Sequence, residues 1–126
     1  DFLSIHTSLE KDNFHLIDSK ELKKMKKKSF LINTSRGSVI NENSLIHALK
    51  NQWIAGAGLD VFEKEPLQSH NKLLKLKNVI LLPHLGSATV QTRNRMSEVA
   101  AINLHNILSN KKPIYLVNTE LEDNHC

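Results

Sequence analysis

Four short, almost uninterrupted apolar segments recur along this chain, each separated from the next by a stretch of helical size. They are residues 1–6 (DFLSIH), 29–34 (SFLINT), 54–62 (IAGAGLDVF) and 78–82 (NVILL). A strand with one wet face alternates apolar and polar residues, whereas a strand buried on both faces reads as a continuous apolar run. Continuous runs alternating with helices therefore predict an α/β fold, a parallel sheet with helices on its faces. Ser19 is placed to cap a helix reaching about Lys27, and Asn41 one reaching about Asn51 with Leu45, Ile46, Ala48 and Leu49 on one face. A short helix fits residues 71–76. A long one fits residues 88–108, with Met96, Ala100, Leu104, Ile107 and Leu108 on its buried side. There is no internal repeat and no low-complexity linker.

Composition narrows the class of partner. Hydrophobic residues make up 40% of the 126, enough for a globular core. No apolar run approaches the ~18 residues of a membrane-spanning helix, so no membrane partner is expected. The single cysteine, Cys126, excludes an internal disulfide framework and suits a reducing compartment. No secretory leader is visible, and a cytoplasmic location is expected. The net charge of +4 sits largely in the run Lys20 to Lys28. A basic run can be a nucleic-acid patch, but Leu22 and Met25 stand three apart, so the run reads as a solvated helix face. None of the six aromatics interleaves with it, and nucleic acid is not expected as a partner. The histidines show no paired metal-ligand spacing.

In parallel sheets ligands bind beyond the carboxyl ends of the strands. Here those ends carry His6-Thr7-Ser8, then Asn33-Thr34-Ser35-Arg36-Gly37, then Asp60 leading to Glu65-Pro66, then Pro83-His84-Leu85-Gly86-Ser87. Each residue has a plainer reading. Arg36 can be a loop cation, Asp60 a turn cap, Glu65 a solvated acid and His84 a structural imidazole. Gly56 and Gly58 fit a ligand approach or simple packing. Together, an Arg, an acid and a His on one sheet edge suit the reduction of a 2-keto acid. Arg grips the carboxylate with a planar fork, and His, oriented by the acid, protonates the carbonyl oxygen. The hydride must come from a cofactor.

The ordered set INTSRG (residues 32–37), GAGLDVF (56–62), EPL (65–67) and LPHLGSAT (82–89) resembles the D-isomer-specific 2-hydroxyacid dehydrogenase family over residues 1–118. Within it, residues 83–96 and Asn118 are most similar to glyoxylate/hydroxypyruvate reductases. The resemblance implies that Arg36 binds the substrate carboxylate, that His84 is the general acid and that Glu65 is its partner. It implies that Asp60 meets the nicotinamide carboxamide, and that Ser8, Thr34, Gly86 and Ser87 line the cofactor with Arg36 and His84. It implies NAD or NADP as cofactor, with the reductase likeness leaning toward NADP, a small 2-keto or 2-hydroxy acid as substrate, and a homodimer at full length. Thr7-Ser8 departs from a common Val-Pro, and Lys27-Lys28 from a common Pro-Gly.

No G-x-G-x-x-G occurs, so the loop that seats a dinucleotide pyrophosphate is not in this sequence. The resemblance therefore implies the C-terminal half of a doubly wound, Rossmann-like NAD(P)-binding domain over residues 1–87. A helix returning toward a substrate domain follows over 88–118, then a flexible tail over 119–126. The 126 residues alone are expected to be inactive and to expose apolar surface. Two other readings stay open: a non-catalytic NAD-sensing protein of corepressor type, and a structural remnant.

Overall fold

In the computed structural model, which describes residues 1–118, four parallel strands stand side by side in chain order. They are β1 (Phe2–Ile5), β2 (Phe30–Asn33), β3 (Gly56–Leu59) and β4 (Val79–Leu81). The register aligns Ile5 with Asn33, Asn33 with Leu59 and Leu59 with Leu81, so all four strands end on one line. The helices α1 (Ser19–Lys24) and α2 (Glu42–Lys50) form the crossovers after β1 and β2 and pack against each other. Right-handed crossovers between strands in sequential order put both helices on the same face of the sheet. A 3-10 turn, Lys72–Lys75, takes the place of a helix between β3 and β4.

The core lies between that face and the helices. Leu31, Leu45, Leu49, Ile54 and Leu73 are fully buried there, with Leu22 of the lysine-rich stretch among them. The lysines themselves stay outside: Lys23 lies over the Trp53 ring and Lys26 pairs with Asp1. Pleating sends alternate side chains the other way. Phe2 and Ile80 are 75% and 68% exposed, and Phe2 stacks on Phe30 at 5.5 Å between centroids. The continuous apolar runs predict cover on both faces. Among the described residues of this unit, the helices cover only one.

Two boundaries differ from expectation. Asp18, not Ser19, caps α1, because its carboxylate accepts from Ser19 N and from the Ser44 hydroxyl and so ties α1 to α2. Those bonds, the Ser44 bond foremost, hold the Asp18 carboxyl below the usual carboxylate range. β3 stops at Leu59; Asp60 N still donates to Asn33 O at 2.9 Å, while the Asp60 carboxylate binds the loop after β4. Close approach within the sheet explains Gly56: a Cβ there would stand 2.7 Å from Asn78 O.

The chain divides into two compact units, residues 1–86 and a second from Ser87 on. The second is built on α3 (Val90–Leu108), capped by Thr89 Oγ1, which accepts from Thr92 N at 3.1 Å. The expected buried side of this helix is not buried: Met96 is 58% and Leu104 61% exposed, and no residue of α3 is buried. An apolar stripe is buried only by a facing element. Within its unit α3 has just the following segment, held by Ile114 N on Asn103 Oδ1 at 2.7 Å. No described helix is long and apolar enough to cross a membrane. The expected tail at 119–126, with Cys126, lies outside the described residues.

Candidate active site

The common line of strand ends assembles the polar groups. At the end of β2, Asn33 is almost fully buried and organises the turn that follows. Its Oδ1 accepts from Ser35 N at 3.0 Å and from Ser35 Oγ at 2.9 Å, while its Nδ2 donates to Arg36 O at 2.9 Å. This Asx-type turn leaves the Arg36 side chain exposed, with Nη1 donating to Ser35 O at 2.8 Å. Arg36 shares a hollow of about 430 Å³ with His6, Thr7, Ser8 and Thr34 from the ends of β1 and β2. The Ser8 hydroxyl donates to Glu10 Oε1 at 3.0 Å.

Asp60, at the end of β3, is 3% exposed and clamps the loop after β4. Its two oxygens accept from Leu85 N and Gly86 N, each at 2.7 Å, and its carbonyl accepts from His84 N at 2.9 Å. Under this clamp His84 holds a left-handed backbone with φ of 56°. That conformation costs a residue with a Cβ on the order of 1–3 kcal/mol, and charge-assisted bonds to a buried carboxylate are strong enough to offset it. The turn-cap reading of Asp60 is thus what the geometry shows for its carboxylate. Gly86 lies tight on it, since a Cβ there would come 3.2 Å from Asp60 Oδ2. Ser87 is exposed at the start of the second unit.

Glu65 comes from the loop after β3 and precedes a cis peptide bond to Pro66. Its Oε2 stands 2.7 Å from His84 Nδ1, and its Oε1 accepts from Phe62 N at 3.0 Å. The other ring nitrogen of His84, Nε2, has no hydrogen-bond partner among the described residues and is open to a ligand. The pair borders an apolar hollow of about 470 Å³ with Phe62, Leu67, Leu81 and Leu82. The hydrogen bond from His84 is the main reason the Glu65 carboxyl sits below the ordinary carboxylate range. Partial burial opposes it, and the Phe62 amide and the charges of His84 and Arg36 add to it.

A carboxyl whose value is lowered by folding contributes stability above the ordinary range, and that contribution is lost as pH falls through the folded value. A carboxyl-carbon NMR titration of Glu65 is therefore expected to give a midpoint below the ~4.3 of a free glutamate. A midpoint at or above it would mean that the imidazole does not hold the acid in solution.

The structure thus brings Glu65 directly onto His84, places Arg36 close enough for its charge to act on Glu65, and gathers Ser8 and Thr34 beside Arg36. Sequence reasoning did not single out Asn33, Glu42, Glu63 or His15 as parts of the assembly. Asn33 was legible as a strand-ending Asn before Ser, a common Asx-turn start. The other three meet only in the folded chain.

Residues 1–86 match the family described as D-isomer specific 2-hydroxyacid dehydrogenase, NAD binding domain. The chain is 51% identical over 121 residues to the glyoxylate reductase of Thermofilum pendens, covering 96% of this chain and 36% of that protein. It is 49% identical over 121 residues to glyoxylate/hydroxypyruvate reductase B of Serratia proteamaculans, covering 96% and 37%. Among solved structures, it superposes with a TM-score of 0.81 and 42% identity on the NADPH-dependent glyoxylate/hydroxypyruvate reductase of Sinorhizobium meliloti in complex with NADP and malonate. That match covers 86% of this chain and 34% of the other. The chain spans little more than a third of the length of these relatives. A parallel sheet with its polar strand ends aligned, matched by the family over its whole first unit, places this chain in the D-isomer-specific 2-hydroxyacid dehydrogenases.

Proposed function

We propose that this chain is the C-terminal part of an NAD(P)-dependent reductase that converts glyoxylate or hydroxypyruvate to the corresponding 2-hydroxy acid, of the D series where the product is chiral. The observation that carries this reading is the 2.7 Å contact of Glu65 Oε2 with His84 Nδ1, which leaves Nε2 free. Nδ1–H bonded to the carboxylate fixes the orientation of the ring and turns Nε2 to the open side, where its proton can pass to a carbonyl oxygen. Arg36 presents a donor fork beside the same loop and binds the substrate carboxylate. Malonate in the Sinorhizobium meliloti reductase is a carboxylate ligand of the same kind.

The hollow at the ends of β1 and β2 fits the nicotinamide end of a dinucleotide. It is polar, stands where parallel sheets take ligands, and offers the hydroxyls of Ser8 and Thr34. Asp60 at the end of β3 holds the Gly86 amide in place, and Gly86, with Ser87 next to it in the chain, is read as cofactor-lining. The cofactor supplies the hydride. His84 supplies the proton and Arg36 the orientation. NADP is favoured over NAD by the likeness to an NADPH-dependent enzyme at 42% identity. The whole protein is read as a homodimer in the cytoplasm.

The test is steady-state kinetics of the whole protein with glyoxylate and hydroxypyruvate against NADPH and NADH. Arg36→Ala is expected to raise KM for the keto acid by roughly 10²-fold and to lower kcat as well, because a bidentate charged contact is lost. Arg36→Lys restores the charge without the fork and is expected to recover only part. Tight NADPH binding with no turnover of either acid would replace this reading with that of an NAD-sensing protein.

A further inference from the structure

A second cluster of acids lies behind the Glu65–His84 pair. Glu42 is the first residue of α2, and Glu63 lies two residues before Glu65 on the loop after β3. Each takes the other's backbone amide. Glu42 N donates to Glu63 Oε1 at 2.8 Å, and Glu63 N donates to Glu42 Oε2 at 3.4 Å. The remaining oxygen of Glu42 accepts from Asn71 Nδ2 at 2.7 Å. Asn71 caps the 3-10 turn at the far end of the same loop. One carboxylate thus grips the loop on both sides of Glu65. His15 Nε2 stands 2.9 Å from Glu63 Oε1, at ion-pair distance but off the line of a hydrogen bond.

Two carboxylates facing each other repel, so stability alone does not recommend the arrangement. It has a geometric consequence. The first amides of a helix have no partner within it, and a carboxylate there is favoured by both hydrogen bonding and the helix dipole. Glu63 therefore anchors its loop to the rigid end of α2 rather than to another loop. From Glu63 the chain needs only Lys64 to reach Glu65, whose Oε1 folds back to Phe62 N. Both neighbours of Lys64 are thus pinned, and Glu65 Oε2 has little freedom to leave His84.

We propose that the Glu42–Glu63 exchange is the positioning device that keeps the Glu65 carboxylate on His84, with Glu63 acting through Glu65 and touching no ligand. This inference rests on the acid–imidazole reading above, and a double-mutant cycle separates the two. In the whole enzyme, Glu63→Ala is expected to lower kcat roughly tenfold, because sub-ångström misplacement near a proton-transfer pair costs rate. KM for the keto acid should stay within about twofold, since Arg36 is untouched. Glu63→Gln keeps an oxygen acceptor for Glu42 N and should recover most of the loss.

In a Glu65→Gln background, Glu63→Ala should cost less than about twofold further, because there is no carboxylate left to position. Full additivity of the two substitutions would overturn the proposal, as would wild-type kcat in Glu63→Ala or a Gln variant as slow as the Ala one. Should Glu65→Gln alone leave kcat unchanged, the acid–imidazole reading itself would fall. Melting temperatures measured on the same proteins identify any loss that follows unfolding rather than misplacement.

Discussion

Replacing His84 should nearly abolish turnover while leaving the fold intact. A positioned general acid contributes about 10²–10⁴-fold, and kcat is expected to fall by that factor in the whole enzyme. KM for the keto acid should change little, because the carboxylate is held by Arg36 and not by the imidazole. The choice of substitution matters. His84 sits at φ 56° under the Asp60 clamp, where alanine is strained and asparagine is tolerated. His84→Ala therefore mixes lost chemistry with a backbone cost of about 1–2 kcal/mol. His84→Asn removes the acid with little strain. Both variants should be equally slow, and only the alanine one should melt earlier. Near-normal kcat in His84→Asn would remove the imidazole from the mechanism. A slow alanine variant beside a fast asparagine one would show that the left-handed backbone, rather than the proton donor, carries the rate.

The element types were legible because each rests on a local signal. The four apolar runs became four parallel strands, and Asn41 caps α2 through Ser44 N as its position before a 3.6-residue pattern implies. Asp18 shows the limit of local reading. Ser19 is as good a cap by type, and its hydroxyl also reaches Ser44 on the neighbouring helix at 2.9 Å, but only the Asp18 carboxylate accepts from both the Ser19 amide and the Ser44 hydroxyl. The α3 stripe shows another limit. Its spacing is amphipathic, yet burial depends on a facing surface that spacing alone does not reveal. Of the site, Arg36, Glu65 and His84 were legible from chemistry type and position at strand ends. That Glu65 meets His84 across 19 residues is a tertiary fact. So is the part played by Asp60, whose turn-capping role was one of two open readings and became visible only with its two amide donors in place.

A methyl group at Gly37 should disrupt the site more widely than its size suggests. Gly37 opens the 3-10 turn that follows Arg36, and its Cα faces the backbone of the loop after β3. A Cβ there would lie 1.9 Å from Phe62 C, 2.0 Å from Phe62 O and 2.5 Å from Glu63 N. These are backbone atoms, so no rotamer change relieves the clash, and one segment must move. The reason for glycine here is contact rather than a special φ, since no glycine of the described chain has positive φ. Overpacking of this kind costs about 1–3 kcal/mol. The functional cost should be larger than that figure implies. If the turn yields, Arg36 shifts; if the loop yields, Phe62 N and Glu63 shift, and with them the bonds that hold Glu65 on His84. Gly37→Ala is accordingly expected to raise KM for the keto acid, to lower kcat by 10-fold or more, and to lower the melting temperature. The misplacement of either group is enough for the kinetic loss. Ser38→Ala is the control, because the Ser38 hydroxyl makes no hydrogen bond among the described residues, and its stability should stay within about 0.5 kcal/mol of wild type. A Gly37→Ala enzyme with unchanged melting and kinetics would mean that the two segments are not pressed together in solution. The three groups would then need some other means of keeping their distances.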